Sequence, residues 1–294
     1  MSVASGLLRT ARPKQWLKNV LVLMAPAAGG ALTEGPVLVR TALAFVAFCL
    51  AASGTYFLND AHDVEADRRH PRKRLRPMAA GVFSPTTGRI VGVLLLLAGL
   101  GVSIVGGRWE LLLVVAVYVL NTTLYSLKLK HVPVFDILSV AAGFLLRAIA
   151  GGAATGIPLS DWFLTVASFG SLFIVVGKRF DEHRATATSV DGHVRHVLTV
   201  YTESYLRYVR SVATGGVLLA YCLFAFEKAH AAPDGGPWFQ LSIVPFAAAI
   251  LRYELDVESG QGETPEDVLL GDRTLVGCGV VWAALFVAGV YLTH

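Results

Sequence analysis

Acidic and amide side chains with regular spacing are the strongest chemical signal in this 294-residue sequence. Asn59, Asp63 and Asp67 are four residues apart, and Asp60 lies three residues before Asp63. In a helix, side chains at these spacings lie on one face. Like charges placed in this way repel unless a cation lies between them, and a ligand set of oxygen atoms favours Mg²⁺. The spacing therefore predicts a metal site formed by these four residues.

A magnesium site of this kind implies a phosphorylated ligand. Mg²⁺ keeps several waters and usually binds through one or two carboxylates together with substrate phosphates. We therefore expect a phosphate or diphosphate at this face, with Asp60, Asp63 and Asp67 as the catalytic residues. The alternative is a solvated helix end, whose charges are balanced by the basic residues that follow from Arg68 to Arg74.

Several basic and ionisable residues outside this motif could have either a functional or a structural role. Lys14 and Lys18 are four residues apart, as on one face of an α-helix, and either bind phosphate or belong to an interfacial helix. The basic run that starts at Arg72 either binds phosphate or anchors the chain to anionic lipid. Asp136 and Arg147 are ionisable groups at membrane depth, which usually mark function. Arg147 could instead be the structural partner of an acid.

The elements that must position these residues are membrane-spanning helices. The chain is 54% hydrophobic and 16% charged, whereas a soluble domain carries roughly 25% charged residues. This composition excludes a soluble enzyme, a secreted disulfide scaffold and a disordered chain. A span needs about 20 mostly apolar residues. Nine spans are predicted, over residues 19–33, 38–58, 89–106, 110–127, 134–154, 161–177, 211–228, 237–252 and 274–293.

The distribution of basic residues predicts how the spans are oriented. Of the 25 Lys and Arg residues, 21 lie at the N-terminus or in the loops after even-numbered spans. The positive-inside rule places these segments in the cytoplasm and the C-terminus outside. The sequence thus predicts an all-α, polytopic protein of the plasma membrane, with residues 1–294 as one domain. Its active-site loops are expected on the cytoplasmic side, at about 59–88, 128–136, 178–210 and 253–273.

The motif Asn59-Asp60-x-x-Asp63-x-x-x-Asp67, placed after the second span, resembles that of the UbiA superfamily of intramembrane prenyltransferases. The resemblance extends from about Arg12 to the end of the chain. It implies a bundle of nine transmembrane helices that opens to the cytoplasm. A second motif of that superfamily, Asp-x-x-x-Asp after the sixth span, is incomplete here, because Ala185 stands where its second acid would follow Asp181.

The chain resembles one branch of the superfamily in three features. These are the incomplete second motif, the segment from Arg12 to Asn19 and the pattern Tyr125-Ser126-x-x-Leu129-Lys130. That branch transfers 5-phosphoribose from phosphoribosyl diphosphate to decaprenyl phosphate, a polyprenyl phosphate, releases diphosphate and supplies cell-wall arabinan synthesis. The resemblance implies Mg²⁺ as the cofactor. It implies phosphoribosyl diphosphate, polyprenyl phosphate and membrane lipids as partners, implies no nucleic acid, and leaves a homo-oligomer open.

The resemblance also implies which polar residues face the substrates. Those expected to bind the phosphate groups are Lys14, Lys18, Arg72, Tyr125, Lys128, Lys130, Lys178 and Arg179. The remaining candidates for the site are Gln15, Asn19, Asp136, Arg147 and Glu182.

Two other functions remain open from the sequence. The first keeps the fold but moves a polyprenyl group to an aromatic or quinone precursor. The second is a transporter, which requires polar residues near the membrane midplane and paired broken helices. Only Arg147 and a few Gly–Pro breaks favour transport, whereas acids and bases crowd one side of the membrane.

Overall fold

The computed structural model describes residues 2–106, 108–188, 196–231, 236–260, 268 and 271–292. Throughout this part of the chain the regular secondary structure is helical, as predicted. The α-helices are α1 Val3–Ala11, α2 Met24–Ala28, α3 Gly35–His62, α4 Val64–Arg69, α5 Pro85–Val105, α6 Trp109–Leu127, α7 Phe135–Thr155, α8 Asp161–Thr188, α9 His196–Val200, α10 Glu203–Ala231, α11 Trp238–Glu258 and α12 Arg273–Tyr291. The 3-10 helices are Pro13–Leu23, Ala31–Thr33, Lys73–Leu75 and Leu129–His131.

Seven of the helices in the described residues are long and apolar enough to cross a membrane. They are α3, α5, α6, α7, α8, α10 and α12. The predicted count of nine is not confirmed. The span expected at 237–252 is the 21-residue helix α11, whose polar side chains, including Gln240, Arg252 and Glu254, lower its mean hydropathy.

The first predicted span, residues 19–33, is wrong as a single helix. This stretch contains the end of a 3-10 helix, the five-residue helix α2 and a second short 3-10 helix. Pro26 lies inside α2 and has no N–H to donate. Gly30 then adopts a φ of 70°, a left-handed conformation that glycine tolerates and that ends the helix.

The described chain divides into two compact units, each with its own apolar core. The first comprises Met1–Lys128 with Leu146–Pro158, and the second comprises Leu129–Leu145 with Leu159–His294. The core of the first contains Phe48, Leu111, Val115 and Tyr118, among others. The core of the second contains Phe173, Val176, Phe180, Leu206 and Tyr253, among others. The expectation of one domain over residues 1–294 remains a prediction.

In the first unit, the 3-10 helix Pro13–Leu23 packs along α3 in matching register. Three residues of a 3-10 helix rise about 6 Å, and so do four residues of an α-helix. Trp16 Nε1 donates to Ser53 Oγ at 3.0 Å, and Asn19 Nδ2 donates to Cys49 Sγ at 3.2 Å. Between these two contacts the position changes by three residues on the 3-10 helix and by four on α3. The two contacts therefore fix the position of the 3-10 helix along α3.

The C-terminal half of α7 contacts the same 3-10 helix in the same register. Arg147 Nε donates to Asn19 Oδ1 at 2.7 Å, and its Nη2 donates to the Tyr118 hydroxyl at 2.9 Å. Four residues later, a Cβ at Gly151 would lie 2.1 Å from the carbonyl oxygen of Val22. Of the two roles predicted for Arg147, the geometry favours the structural one, because the guanidinium is hydrogen-bonded to the Asn19 amide and the Tyr118 phenol.

This close approach yields a test of the packing. We expect Gly151→Ala to lower the thermal unfolding midpoint in detergent, because a methyl group cannot fit against the Val22 backbone and overpacking costs about 1–3 kcal/mol or more. Gly101→Ala is the matched control, since a Cβ at this helical position in α5 meets nothing within 4 Å. Equal midpoints for the two variants would contradict the packing described here.

Candidate active site

The predicted acidic motif lies where α3 passes into α4. Asp63 stands between the two helices, with φ −90° and ψ 6°. The helical hydrogen-bond pattern continues across this junction, because Asp63 N donates to the Asn59 carbonyl at 2.9 Å and Asp67 N donates to the Asp63 carbonyl at 2.8 Å. Asn59, Asp63 and Asp67 therefore follow one another at successive helical turns, as the spacing predicted.

Two carboxylates of the motif are buried and neutralised by arginines. Asp60 and Asp67 are each 3% exposed. Arg76 Nη1 lies between them and donates to Asp60 Oδ1 at 3.1 Å and to Asp67 Oδ2 at 2.7 Å. Arg12 Nη2 donates to Asp60 Oδ1 at 2.7 Å, and its guanidinium lies 4.5 Å from the centre of the Tyr56 ring. Buried charges of this kind are stable only when paired and hydrogen-bonded, which explains the two arginines.

Sequence reasoning did not find these arginine contacts. Arg12 lies 48 residues before Asp60, and no local spacing links the two. Arg76 belongs to the basic run after Arg72, but nothing in that run distinguishes an arginine that binds the carboxylates from one that faces lipid. The sequence held only a weak signal for these contacts, namely that a basic run follows the acidic motif after a short stretch of chain.

The donor set fits magnesium that is bound together with a phosphate. Among the described residues, no three or more His, Cys, Asp or Glu side chains form a group that could hold a metal by themselves. Asp60 and Asp67 do converge, since both reach the same nitrogen of Arg76. One or two carboxylates that share Mg²⁺ with substrate phosphates are typical for this ion. The residues present thus suit a metal held jointly with its ligand.

A positively charged cavity of about 270 Å³ adjoins the motif within the first unit. Asp60 is the acidic residue in its lining. The basic residues in its lining are Arg9, Arg12, Arg72, Lys73 and Arg76. Of these, Arg72 was predicted to bind phosphate, and Lys73 and Arg76 belong to the basic run for which phosphate binding was one of two interpretations. Because positive charges outnumber the one negative charge in this lining, the cavity raises the local concentration of anionic ligands.

The predicted pairing of Lys14 with Lys18 is wrong. The prediction assumed an α-helix, but these residues belong to the 3-10 helix Pro13–Leu23, in which four residues span one turn plus about 120°. Lys14 shares its row with the exposed residues Leu17 and Val20, whereas Lys18 shares its row with Gln15. In the same unit, the expected residues Tyr125 and Lys128 lie in the last turn of α6 and just beyond it.

The second unit contains another group of predicted residues. Asp136 is fully buried and accepts a 2.8 Å hydrogen bond from Arg179 Nε. Arg179 Nη1 also donates to Glu182 Oε2 at 2.5 Å, and Lys178 Nζ lies 3.9 Å from Glu182 Oε1. The structure thus brings four expected residues together. However, the guanidinium of Arg179 is buried between two carboxylates, so Lys178, 41% exposed, is the accessible cation of this group.

Tyr201 completes this group and was missed by the sequence analysis. Its hydroxyl donates to Asp136 Oδ1 and accepts a 2.6 Å hydrogen bond from Val134 N. Val134 has a φ of 70°, which is strained for a β-branched residue, and it closes the turn that follows Lys130. Burial, reinforced by the hydrogen bond to Asp136, raises the pKa of Tyr201 above its ordinary value. Because Tyr201 lies 65 residues from Asp136, no spacing pattern could reveal it.

The fold and the acidic motif define an integral membrane protein with charged helix ends suited to phosphorylated ligands. The fold is similar to that of a UbiA homologue from Archaeoglobus fulgidus bound to GPP and Mg²⁺, with a TM-score of 0.74, 16% identity, and coverage of 98% of this chain and 99% of that one. The sequence model of the UbiA prenyltransferase family matches residues 20–270. The chain belongs to the UbiA prenyltransferase family, which confirms the predicted resemblance and makes it a membrane transferase.

Two curated relatives are much more similar in sequence. The decaprenyl-phosphate phosphoribosyltransferase of Corynebacterium glutamicum is 44% identical, over 99% of this chain and 88% of the relative. The protein of the same name from Mycobacterium tuberculosis is 45% identical, over 98% of this chain and 95% of the relative. The likeness therefore extends over nearly the whole chain.

The contacts of Tyr201 give a prediction for the second unit. We expect Tyr201→Phe to reduce the free energy of unfolding by about 1–3 kcal/mol, because the Asp136 carboxylate loses a buried hydrogen-bond donor and Val134 N–H loses its acceptor. Tyr205→Phe is the matched control, since its ring stacks on Tyr201 at 5.6 Å but is 36% exposed. Chemical denaturation in detergent measures both variants, and equal losses would contradict the assigned role.

The raised pKa of Tyr201 also predicts a dependence on pH. The unfolded chain releases the tyrosine proton near pH 10, whereas the folded chain releases it only at higher pH. The stabilisation is thus complete below about pH 10 and is lost as the pH rises beyond it. We expect the wild-type unfolding midpoint to fall more steeply above pH 10 than that of Tyr201→Phe. Parallel curves would contradict this assignment.

Proposed function

We propose that the chain transfers 5-phosphoribose from phosphoribosyl diphosphate to a polyprenyl phosphate, decaprenyl phosphate in the first instance, and releases diphosphate. The observation that carries this proposal is the 44–45% identity, over nearly the full chain, to decaprenyl-phosphate phosphoribosyltransferases. The basic cavity beside Asp60 supports it, because the donor carries phosphate groups at two positions on its sugar. The product would serve the synthesis of cell-wall arabinan.

In this proposal Asn59, Asp60, Asp63 and Asp67 would hold Mg²⁺ together with the diphosphate of the donor. The ion would neutralise the charge that grows on the diphosphate as it leaves. Asp60 and Asp67 are supported in this role by their burial at the end of α3 and in α4. The Mg²⁺-bound UbiA homologue of A. fulgidus is consistent with it at the level of the fold.

The protein's own task is to bind the substrates, orient them and balance their charge. Arg12 contacts Asp60 and Arg76 contacts Asp67 of the motif, so both arginines are placed to hold the departing diphosphate. The bond between ribose C1 and the diphosphate oxygen breaks, and a bond from C1 to an oxygen of the lipid phosphate forms. The lipid phosphate is anionic at neutral pH, so the nucleophile requires no strong general base.

The remaining expected residues are assigned to phosphate binding within the same proposal. In the first unit they are Lys14, Lys18, Arg72, Tyr125 and Lys128, with Gln15 nearby on the chain. In the second unit Lys130 and Lys178 are the cations, whereas Asp136, Arg179, Glu182 and Tyr201 hold the turn that carries Lys130. Asn19 and Arg147 are assigned to packing. The proposal places the N-terminus and these loops in the cytoplasm of a plasma-membrane protein, with the C-terminus outside.

A transfer assay tests the function. The purified protein in detergent is given labelled phosphoribosyl diphosphate, decaprenyl phosphate and Mg²⁺, and lipid-extractable label is counted. We expect labelled lipid and released diphosphate, and we expect EDTA to abolish both. Absence of labelled lipid, together with prenylation of an aromatic acceptor when a prenyl diphosphate is supplied, would favour the alternative prenyltransferase function and overturn the proposal.

The metal role is tested by removing one carboxylate at the helix junction. We expect Asp63→Ala to lower kcat at least about a hundredfold, because the charge on the leaving diphosphate loses stabilisation, while the unfolding midpoint stays near the wild-type value. Glu65→Ala is the control, since this exposed acid in α4 pairs with Arg68 at 2.7 Å on the surface. An active Asp63→Ala protein would contradict the assignment of the motif to the metal.

A further inference from the structure

We propose that the cavity beside Asp60 is a subsite for a phosphate monoester dianion and that its ligand is the 5-phosphate of the donor sugar. The assignment of the ligand rests on the proposed function, whereas the affinity for a phosphate monoester follows from the cavity itself. Of the motif, which would hold the diphosphate with the metal, only Asp60 belongs to the lining of this subsite.

The cavity collects cations from two distant segments of the chain. Arg9 and Arg12 come from the last turn of α1 and the residue that follows it, whereas Arg72, Lys73 and Arg76 come from the loop after α4. A basic run that only anchors the chain to the membrane does not require cations from two distant segments to lie around one cavity. Bringing five cations around one acid costs free energy through repulsion, and an anionic ligand offsets this cost.

The four arginines of the cavity divide into two groups with different surroundings. Arg12 and Arg76 are bound to the buried carboxylate of Asp60 at the base of the cavity. Arg9 and Arg72 are exposed, and within the described residues neither forms an ion pair with a carboxylate. These two guanidinium groups are therefore available to a ligand, and guanidinium groups bind phosphate oxygens through paired, charge-assisted hydrogen bonds.

The backbone that carries these side chains is held in place on both sides. Thr10, 1% exposed, donates its hydroxyl to the carbonyl oxygen of Gly6, and Ser53 Oγ donates to the Ala11 carbonyl oxygen at 3.0 Å. On the other side, the His70 ring nitrogen Nδ1 accepts from the backbone N–H groups of Arg72 and Lys73 at 3.2 and 3.3 Å. The backbone of the subsite is thus held in place before a ligand binds, which reduces the entropy lost on binding.

Size and position favour the sugar phosphate over the lipid phosphate. Whole small-molecule sites enclose about 300–1,000 Å³, so a cavity of about 270 Å³ accommodates one end of a small ligand. Because Asp60 belongs to both the cavity and the metal motif, phosphates bound at the two places lie close enough to belong to one small molecule. The donor has this form, with a diphosphate at C1 and a monoester at C5.

Charge-removal variants at the two available arginines test the proposal. We expect Arg9→Gln and Arg72→Gln each to raise the KM for phosphoribosyl diphosphate about tenfold or more, with kcat and the KM for decaprenyl phosphate within about twofold of wild type. Arg74→Gln is the matched control, because Arg74 is exposed on the same loop but does not line the cavity. A raised KM for decaprenyl phosphate instead would assign the cavity to the lipid and overturn the inference.

A binding measurement separates failure of the subsite from failure of the proposed function. Ribose 5-phosphate and inorganic phosphate are titrated into the full-length protein in detergent, and the shift in thermal unfolding midpoint is recorded. We expect ribose 5-phosphate to stabilise wild type and Arg74→Gln, and to stabilise Arg9→Gln and Arg72→Gln much less. If all four proteins respond equally, the cavity is not a phosphate subsite, whether or not the transfer reaction occurs.

Discussion

A network of two buried carboxylates and two partly exposed arginines organises the charged end of the first unit. Asp60 and Asp67 are almost fully buried, and Arg12 and Arg76 supply the positive partners that buried carboxyl groups require. Breaking one partner of such a pair typically costs about 3–5 kcal/mol, since the other charge is then buried alone. The same network joins α1, α3, α4 and the basic loop after α4, so the chemistry and the packing of this region share one constraint.

The position of Arg12 depends on the unusual helix that follows it. Arg12 has a φ of 54°, so the chain turns sharply between α1 and the 3-10 helix. From there the contacts of Trp16 with Ser53 and of Asn19 with Cys49 set the register along α3. Asp60 lies seven residues, about two turns, beyond Ser53 on the same face of α3. The packing of the 3-10 helix along α3 therefore places the Arg12 side chain beside Asp60.

Local patterns predicted the parts of this protein that depend on local physics. The apolar runs identified the seven helices that can cross a membrane, and the spacing of Asn59, Asp63 and Asp67 correctly predicted their places at successive helical turns. The errors arose where the backbone left the α-helical pattern, as in the pairing of Lys14 with Lys18. Contacts between distant segments were also missed, including those of Arg76 and Tyr201, because residue spacing carries information about one helix at a time.

In the proposed function the donor substrate is phosphoribosyl diphosphate and not a prenyl diphosphate. A competition experiment distinguishes the two donors: the wild-type protein receives phosphoribosyl diphosphate and a prenyl diphosphate together, with decaprenyl phosphate, an aromatic acceptor and Mg²⁺. Mass spectrometry then identifies every product. We predict one product, decaprenyl phosphate that has gained a phosphoribosyl group. A prenylated aromatic product, with decaprenyl phosphate unchanged, would contradict the account.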